Sequence, residues 1–345
     1  MTRYEMAQIV AKAMAKGANV DKLAAEFADE LDSLGVRVAN LEKKADNVKI
    51  TGQIRLSYRD NANNEAGDSG RLRTRLFLNG QINEDWTYTG RFENNQYYKG
   101  NKAGEYSDSE GDDDIDLNWA YVSGRVGGVK TDLGRQNLKL HTGNVVDAEF
   151  DGAKLAYGKD VKLTGFVGKG EGDDVTGLSE DRLYVADLSA KMGVVDAYVT
   201  YYKVDNARNQ EIWNVGAALP IVKDLKLSAE YMHGDADVDN GMDNNGWVAG
   251  LAYKGAKASQ PGSWGVYANY YDMPGLTYLD NTNDGYNGVM NNWKFDGGDG
   301  FEGYEVGANV TLAKNIVAGI KYFDIEEREN DADEQAIWSE VVFTF

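Results

Sequence analysis

The chain has 345 residues and a formal net charge of −20, with 36 Lys and Arg against 56 Asp and Glu. That balance excludes a nucleic-acid partner, which requires a basic face, and the lack of cysteine excludes disulfide frameworks and thiolate metal sites. Three prolines stand against 40 glycines, 21 tyrosines, 10 phenylalanines and 7 tryptophans, which suits many strands joined by glycine-bearing turns.

Two helices are expected first. One spans about residues 3–16, with Tyr4, Ile9, Val10, Ala13 and Met14 at helical spacing and Gly17 as its stop. The start shows no charged leader and no cleavage site, so for an exported protein a mature or truncated form is expected. The second helix carries Val20, Leu23, Phe27, Leu31, Leu34, Val38, Leu41, Ala45 and Val48 at steps of three and four. This is a coiled-coil seam with one stutter, between Phe27 and Leu31. The seam is narrow, and Asp21, Lys22, Glu26, Arg37, Glu42 and Lys43 lie off it. No other helix of similar length is expected in the chain. Self-association through Leu23, Phe27, Leu31, Leu34, Val38 and Leu41 is therefore preferred over one amphipathic helix lying on its own barrel. Seam residues of mixed type leave two or three strands open.

From Val48 the period changes to 2. Leu225, Leu227, Ala229 and Tyr231 alternate with Lys226, Ser228, Glu230 and Met232; Tyr304, Val306, Ala308, Val310 and Leu312 oppose Glu305, Gly307, Asn309 and Thr311. Trp264, Val266, Ala268 and Tyr270 oppose Gly265, Tyr267, Asn269 and Tyr271 in the same way. Sixteen candidate strands follow, at about 48–59, 70–82, 85–99, 114–126, 129–140, 152–158, 160–170, 181–192, 194–205, 211–219, 223–234, 246–257, 262–274, 301–312, 314–327 and 336–345. Their connections alternate long (60–69, 100–113, 141–151, 171–180, 235–245, 275–300, 328–335) and short (83–84, 127–128, 158–159, 193, 220–222, 313). An outer-membrane barrel shows this asymmetry, and a soluble sandwich has no reason to keep it. No run reaches the roughly 18–20 apolar residues of a membrane-spanning helix. In a barrel, averaging over the two faces hides the apolar one. Trp86, Tyr88, Tyr97, Tyr98, Trp213, Trp247, Trp264, Tyr322 and Trp338 collect near strand ends, as interfacial girdles do.

The expected fold is an all-β transmembrane protein, a 16-stranded antiparallel outer-membrane barrel on residues 48–345 with an N-terminal helical coiled-coil stalk on 18–47. The closing VVFTF, with Val341, Phe343 and Phe345 on one face, resembles the last strand of outer-membrane barrels, whose terminal aromatic is read by the assembly machinery. At the other end, TRYEMA (Thr2 to Ala7) resembles the last helix of an S-layer homology domain, a module that grips peptidoglycan-linked polymers, so residues 1–17 are read as its remnant. Arg3 and Glu5 would then be fragments of a cell-wall binding motif. Together these features resemble the OmpM family of tethering porins of diderm Firmicutes such as Veillonella. The resemblance implies a homotrimer in outer-membrane lipid, with its stalk in the periplasm. It also implies a diffusion channel for small hydrophilic solutes and a link to peptidoglycan.

The first strands carry a basic ladder: Arg55 and Arg59, then Arg71, Arg73 and Arg75, then Arg91. A guanidinium facing lipid near the midplane would cost about 2–4 kcal/mol, so these six are placed inward on one wall. Between the fifth and sixth expected strands, 141–151 carries Asp147, Glu149 and Asp151. In general porins the loop at this position folds into the lumen, and here it would set acids against the arginines across a constriction. The alternative is that the arginines only brace the loop.

Other chemistry is set aside. Asp235, Asp237 and Asp239 have calcium-loop spacing, but Asn240 sits where the glycine is needed and Gly246 where the closing glutamate is needed. That leaves a loose divalent site against a solvated acidic loop. Only His141 and His233 exist, neither beside a nucleophile and an acid at triad spacing, so no enzyme is expected. Gly168 to Asp173 lacks the strand-to-helix context of a phosphate loop, and no cofactor is expected. An open channel and a plugged barrel serving as a structural anchor remain. The lumen-facing charges favour the first.

Overall fold

Strands form along the period-2 segments in the computed structural model, which describes residues 2–15, 21–33, 48–62, 68–99, 115–170, 181–205, 209–237, 243–280, 282, 300–328 and 333–345. They are β1 (Val48–Asn61), β2 (Ser69–Gln81), β3 (Thr87–Lys99), β4 (Asp116–Val126), β5 (Val129–Lys139), β6 (Asp147–Gly158), β7 (Val161–Gly170) and β8 (Arg182–Met192). The second half comprises β9 (Val195–Asp205), β10 (Glu211–Val222), β11 (Leu225–Asp235), β12 (Asn245–Lys254), β13 (Trp264–Met273), β14 (Phe301–Ala313), β15 (Ile316–Glu327) and β16 (Asp333–Thr344). Each pairs with its chain neighbours, and β16 returns antiparallel to β1, so the sheet is a closed barrel with no edge strand. At the seam the Gly52 amide donates to the Phe345 carbonyl at 2.8 Å and the Phe345 amide returns a bond to Gly52 at 3.0 Å. The Phe345 ring lies over Gly52, where a Cβ would come within 2.2 Å of the ring.

The expected sixteen strands are present, and the bounds differ most in two places. β6 begins at Asp147, so Asp147, Glu149 and Asp151 belong to a strand and not, as expected, to a loop. Their partners explain it. Lys139 stands opposite Asp147, Asn137 opposite Glu149 and Arg135 opposite Asp151, and the pairs Lys139–Asp147 (2.6 Å) and Arg135–Asp151 (2.9 Å) extend the hairpin. The β12–β13 connection, expected to be short, runs over 255–263 and is held by its own turn bonds, such as Gln260 amide to Lys257 carbonyl at 2.8 Å.

Outward positions form an apolar belt: Leu56, Leu76, Leu133, Leu155, Leu188, Leu227, Leu251, Val266, Val306 and Ile320 are all exposed. A continuous surface of this kind is stable against hydrocarbon and drives association in water. Trp213, Tyr231, Trp247, Tyr270 and Tyr304 point out near the long-connection ends of their strands. Trp338 departs from the expected girdle: on β16 it lies opposite inward-facing Arg59 and is 5% exposed. No described helix is long and apolar enough to cross a membrane, which says nothing of crossing by strands.

Before the barrel lie α1 (Arg3–Ala15) and α2 (Asp21–Glu26), with a further helical stretch at 28–33. Thr2 and Glu5 cap α1 reciprocally: the Glu5 amide donates to Thr2 Oγ1 at 3.2 Å and the Thr2 amide to Glu5 Oε2 at 2.7 Å. Phe27 is buried against Ala7 and Val10, with Met6 and Leu31 alongside. Phe27 and Leu31 thus find partners in α1, where a second copy of the chain was expected, because the first helix folds back onto the seam. Leu23 is exposed, and Leu34, Val38 and Leu41 lie outside the described residues.

Candidate functional site in the barrel lumen

The first wall is basic. Inward parity on β1 and β2 puts Arg55 opposite Arg73, Ser57 opposite Arg71 and Gln53 opposite Arg75. Arg75 Nε donates to Glu93 Oε2 at 2.5 Å. Arg91, 3% exposed, lies 2.6 Å from Glu149 and 3.4 Å from Glu93, with its guanidinium 4.3 Å from the Trp119 ring centroid. Arg55 is 3.7 Å from Glu340 and 5.1 Å from the Trp338 ring, whose Nε1 donates to the same glutamate at 3.1 Å. Among the described residues Arg73 donates one weak hydrogen bond, to Gln53 at 3.4 Å, and Arg71 lies 6.0 Å from the Tyr97 ring. All six predicted arginines therefore fall on one wall, β1 to β3, with Glu93 and Glu340 beside them and Glu149 reaching Arg91 from β6. Like charges directly opposite across a strand pair are destabilising, and Arg55 against Arg73 is such a pair.

The second wall is covered. At the long-connection ends of β8 to β15 the inward positions are apolar: Leu183, Val185, Tyr202, Val204, Ile212, Met232, Val248, Phe301, Phe323 and Ile325 are buried. Two segments fold in over them. From the β5–β6 connection come Val145 and Val146, and from the β13–β14 connection Leu276, Tyr278 and Leu279, each no more than 3% exposed. Gly234 of β11 admits the second segment; a Cβ there would meet the Leu276 carbonyl oxygen at 2.0 Å. The segments also zip to each other. Asp147 amide bonds Asp280 carbonyl at 2.6 Å, Leu279 amide bonds Val145 carbonyl at 2.8 Å, and Thr282 amide bonds Gly143 carbonyl at 3.1 Å. Half-buried Asp280 has its carboxyl pushed up to about 7, first by burial and then by Asp147 and Glu149.

Polar groups seat the first segment. Glu230 accepts from Thr142 (2.8 Å), Asn144, Tyr198 (2.9 Å) and Asn214 (3.2 Å). His141, in the left-handed region at φ 51, lies 2.6 Å from Asp187 and stacks on Tyr198 with ring centroids 3.5 Å apart. Glu305 accepts from Tyr267 (2.6 Å), Tyr271 (2.7 Å) and Asn269 (3.4 Å). Between them lies a cavity of about 390 Å³ lined by Asn144, Tyr198, Glu230, Tyr267, Glu305 and Lys321.

Before β6, the residues His141 to Val146 fold in over the covered wall. Of the three acids expected to face the arginines, Glu149 reaches Arg91; Asp147 and Asp151 pair with Lys139 and Arg135. The inward fold of 274–280 was missed. Its signal was Leu276, Tyr278 and Leu279 clustered just after β13, together with strand ends apolar on both faces. Of the loose divalent candidates, Asp237 accepts from Asn209 at 2.6 Å and Asp239 lies outside the described residues. No acidic or histidine cluster suited to a metal occurs among the described residues. His233 bonds Asn245 at 2.9 Å.

Compared by sequence, the chain matches no family model and no curated protein. By structure it is similar to solved porins. A mutant porin of Rhodopseudomonas blastica aligns with TM-score 0.55 at 14% identity, covering 86% of this chain and 100% of that one. A loop-deletion form of OmpT, an outer-membrane protein of Vibrio cholerae, aligns with TM-score 0.55 at 14% identity, over 86% and 99%. In-vitro folded OmpT in its trimer form gives 0.54 at 12% identity, over 86% and 99%. At such identities the likeness establishes the fold, a closed sixteen-stranded barrel of the porin type.

Proposed function

We propose that this chain is an outer-membrane diffusion porin for small hydrophilic solutes and ions, and not an enzyme. The observation that carries the reading is the pairing of an apolar outer belt with a charged inner wall, from Arg55 to Arg91. Such a barrel is stable only with lipid outside and water or polar solute within. The basic wall facing the infolded loop is the constriction, and its charges set ion preference. The trimer is part of the proposal, and the trimeric form of OmpT supports it by analogy of fold. So is the finer resemblance to OmpM: residues 1–17 as an S-layer homology remnant, with Arg3 and Glu5 from its binding motif, and residues 18–47 as a periplasmic stalk tethering the membrane to peptidoglycan.

A second reading has its own observation. The apolar cluster from Val145 to Ile325 fills part of the lumen, as a plugged barrel serving chiefly as an anchor would require. Single-channel recording in a planar lipid bilayer separates the two. Stable ohmic steps, grouped in threes for a trimer, are expected. Silence from folded, inserted protein overturns the channel and leaves the anchor.

A further inference from the structure

We propose that Arg71 and Arg73, with Arg55 facing them, form an oxyanion site that binds the phosphate or carboxylate groups of passing solutes and makes the channel prefer anions. This rests on the channel reading above and names its substrate class.

Charge balance is the first argument. The wall holds six guanidiniums and three carboxylates, and the carboxylates are unevenly placed. Glu93 and Glu149 lie at Arg75 and Arg91, and Glu340 lies at Arg55. Among the described residues, no carboxylate lies within ion-pair distance of Arg71 or Arg73. The second argument is hydrogen bonding. Nε of Arg71 and Nε of Arg73 are buried without an acceptor, as are those of Arg55, Arg59 and Arg91, although a buried donor normally has one; what sets Arg71 and Arg73 apart is that they have these spare donors with no carboxylate beside them among the described residues. Elsewhere on the same wall the fold supplies acids, so nothing in the strand geometry forbids a carboxylate here.

Placement is the third. Arg73 stands directly opposite Arg55 across the β1–β2 pair, a like-charge contact that a bound anion would turn into an attractive one. Alternate residues on a strand are about 6.7 Å apart, close enough for two planar guanidinium forks to share one tetrahedral or planar oxyanion. The rungs are also ordered. Arg71 lies toward the long-connection end of β2, Arg73 follows, and Arg75 comes last with its charge already offset by Glu93 at 2.5 Å. An anion drawn to the first two rungs meets a neutralised third and is let go. Conduction needs this combination of attraction on the way in and weak hold on the way out.

The test uses purified full-length protein in a planar bilayer with chloride as the carrier. Inorganic phosphate and succinate are added separately at constant ionic strength. Wild type is expected to show an anion-selective reversal potential and a saturable fall in chloride current with at least one of the two oxyanions. The double variant R71Q/R73Q is expected to keep its conducting steps, lose the saturable block and shift its reversal potential toward cations. Arg73→Lys keeps the charge but not the fork, so anion preference stays while apparent affinity falls about tenfold. Steps unaffected by either oxyanion, or a block that survives in R71Q/R73Q, overturn the site while leaving the channel intact. If folded protein conducts nothing, calorimetric titration of phosphate and succinate into the detergent-solubilised protein decides the site alone. Saturable heat that R71Q/R73Q lacks supports it, and absence of heat overturns it.

Discussion

On β1 to β3 the inward positions carry Arg55, Arg71, Arg73, Arg75 and Arg91, whereas at the outer ends of β8 to β15 they carry Leu183, Val185, Ile212, Met232, Phe301 and Phe323. The backbone is the same barrel ladder in both regions. What differs is what covers it. The apolar half would be unstable against water, and Val145, Val146, Leu276, Tyr278 and Leu279 shield it by folding in. The basic half is packed differently: Arg55 and Arg91 are buried against Trp338 and Trp119 and beside Glu340, Glu93 and Glu149, so rings and acids on the spot take the place of an infolded apolar segment. An inward-facing position is thus not wet by default; its chemistry decides whether a loop must be built over it.

The largest effect is expected from Phe301→Ala, which empties a fully buried ring position: about 3–5 kcal/mol of barrel stability is lost, read from the denaturant midpoint. Glu230→Ala follows at about 2–4 kcal/mol, because the donors of Thr142, Asn144, Tyr198 and Asn214 lose one charged acceptor. Its step conductance should rise as the first segment leaves the lumen. An unchanged conductance would mean that the segment does not narrow the path.

Asp280 sharpens the comparison through pH. Its folded carboxyl holds a proton up to about 7, above its ordinary 3.8. Between those values the folded form keeps a proton that the unfolded chain has released, so stability falls as pH rises through the window and the loss is complete above it. Wild type should melt about 2–4 °C lower at pH 8 than at pH 5, and Asp280→Asn should remove that slope. The smallest effect is expected at Arg135→Ala, which removes a partly exposed pair with Asp151 and should change stability by less than about 1 kcal/mol.

The barrel was legible because period-2 alternation and the length of connections are local properties, and Arg71, Arg73 and Arg75 declare their face by the price of the other one. The covered wall was not. Leu183 with Tyr184, or Met232 beside Tyr231, looks like an ordinary lapse in alternation until a segment from elsewhere in the chain is seen to lie on it. Asp147, Glu149 and Asp151 misled for the opposite reason: acidic composition suggested a loop, and only the facing Lys139 and Arg135 made it a strand. The fold-back of Phe27 onto Ala7 and Val10 was hidden because an apolar seam reads the same whether it packs on a second copy or on the preceding helix.

The bonds between the two infolded segments have a consequence for the current itself. Val145 and Asp147 hold Leu279 and Asp280 through the backbone, and Gly143 holds Thr282, so neither segment can leave its seat alone without abandoning bonds to the other. Departure of one is therefore expected to take the other with it in the wild type. A recording should show two discrete levels with correlated dwell times, in place of a graded series of sublevels. Proline at Leu279, which cannot donate to Val145, should uncouple the pair and add intermediate levels to the trace.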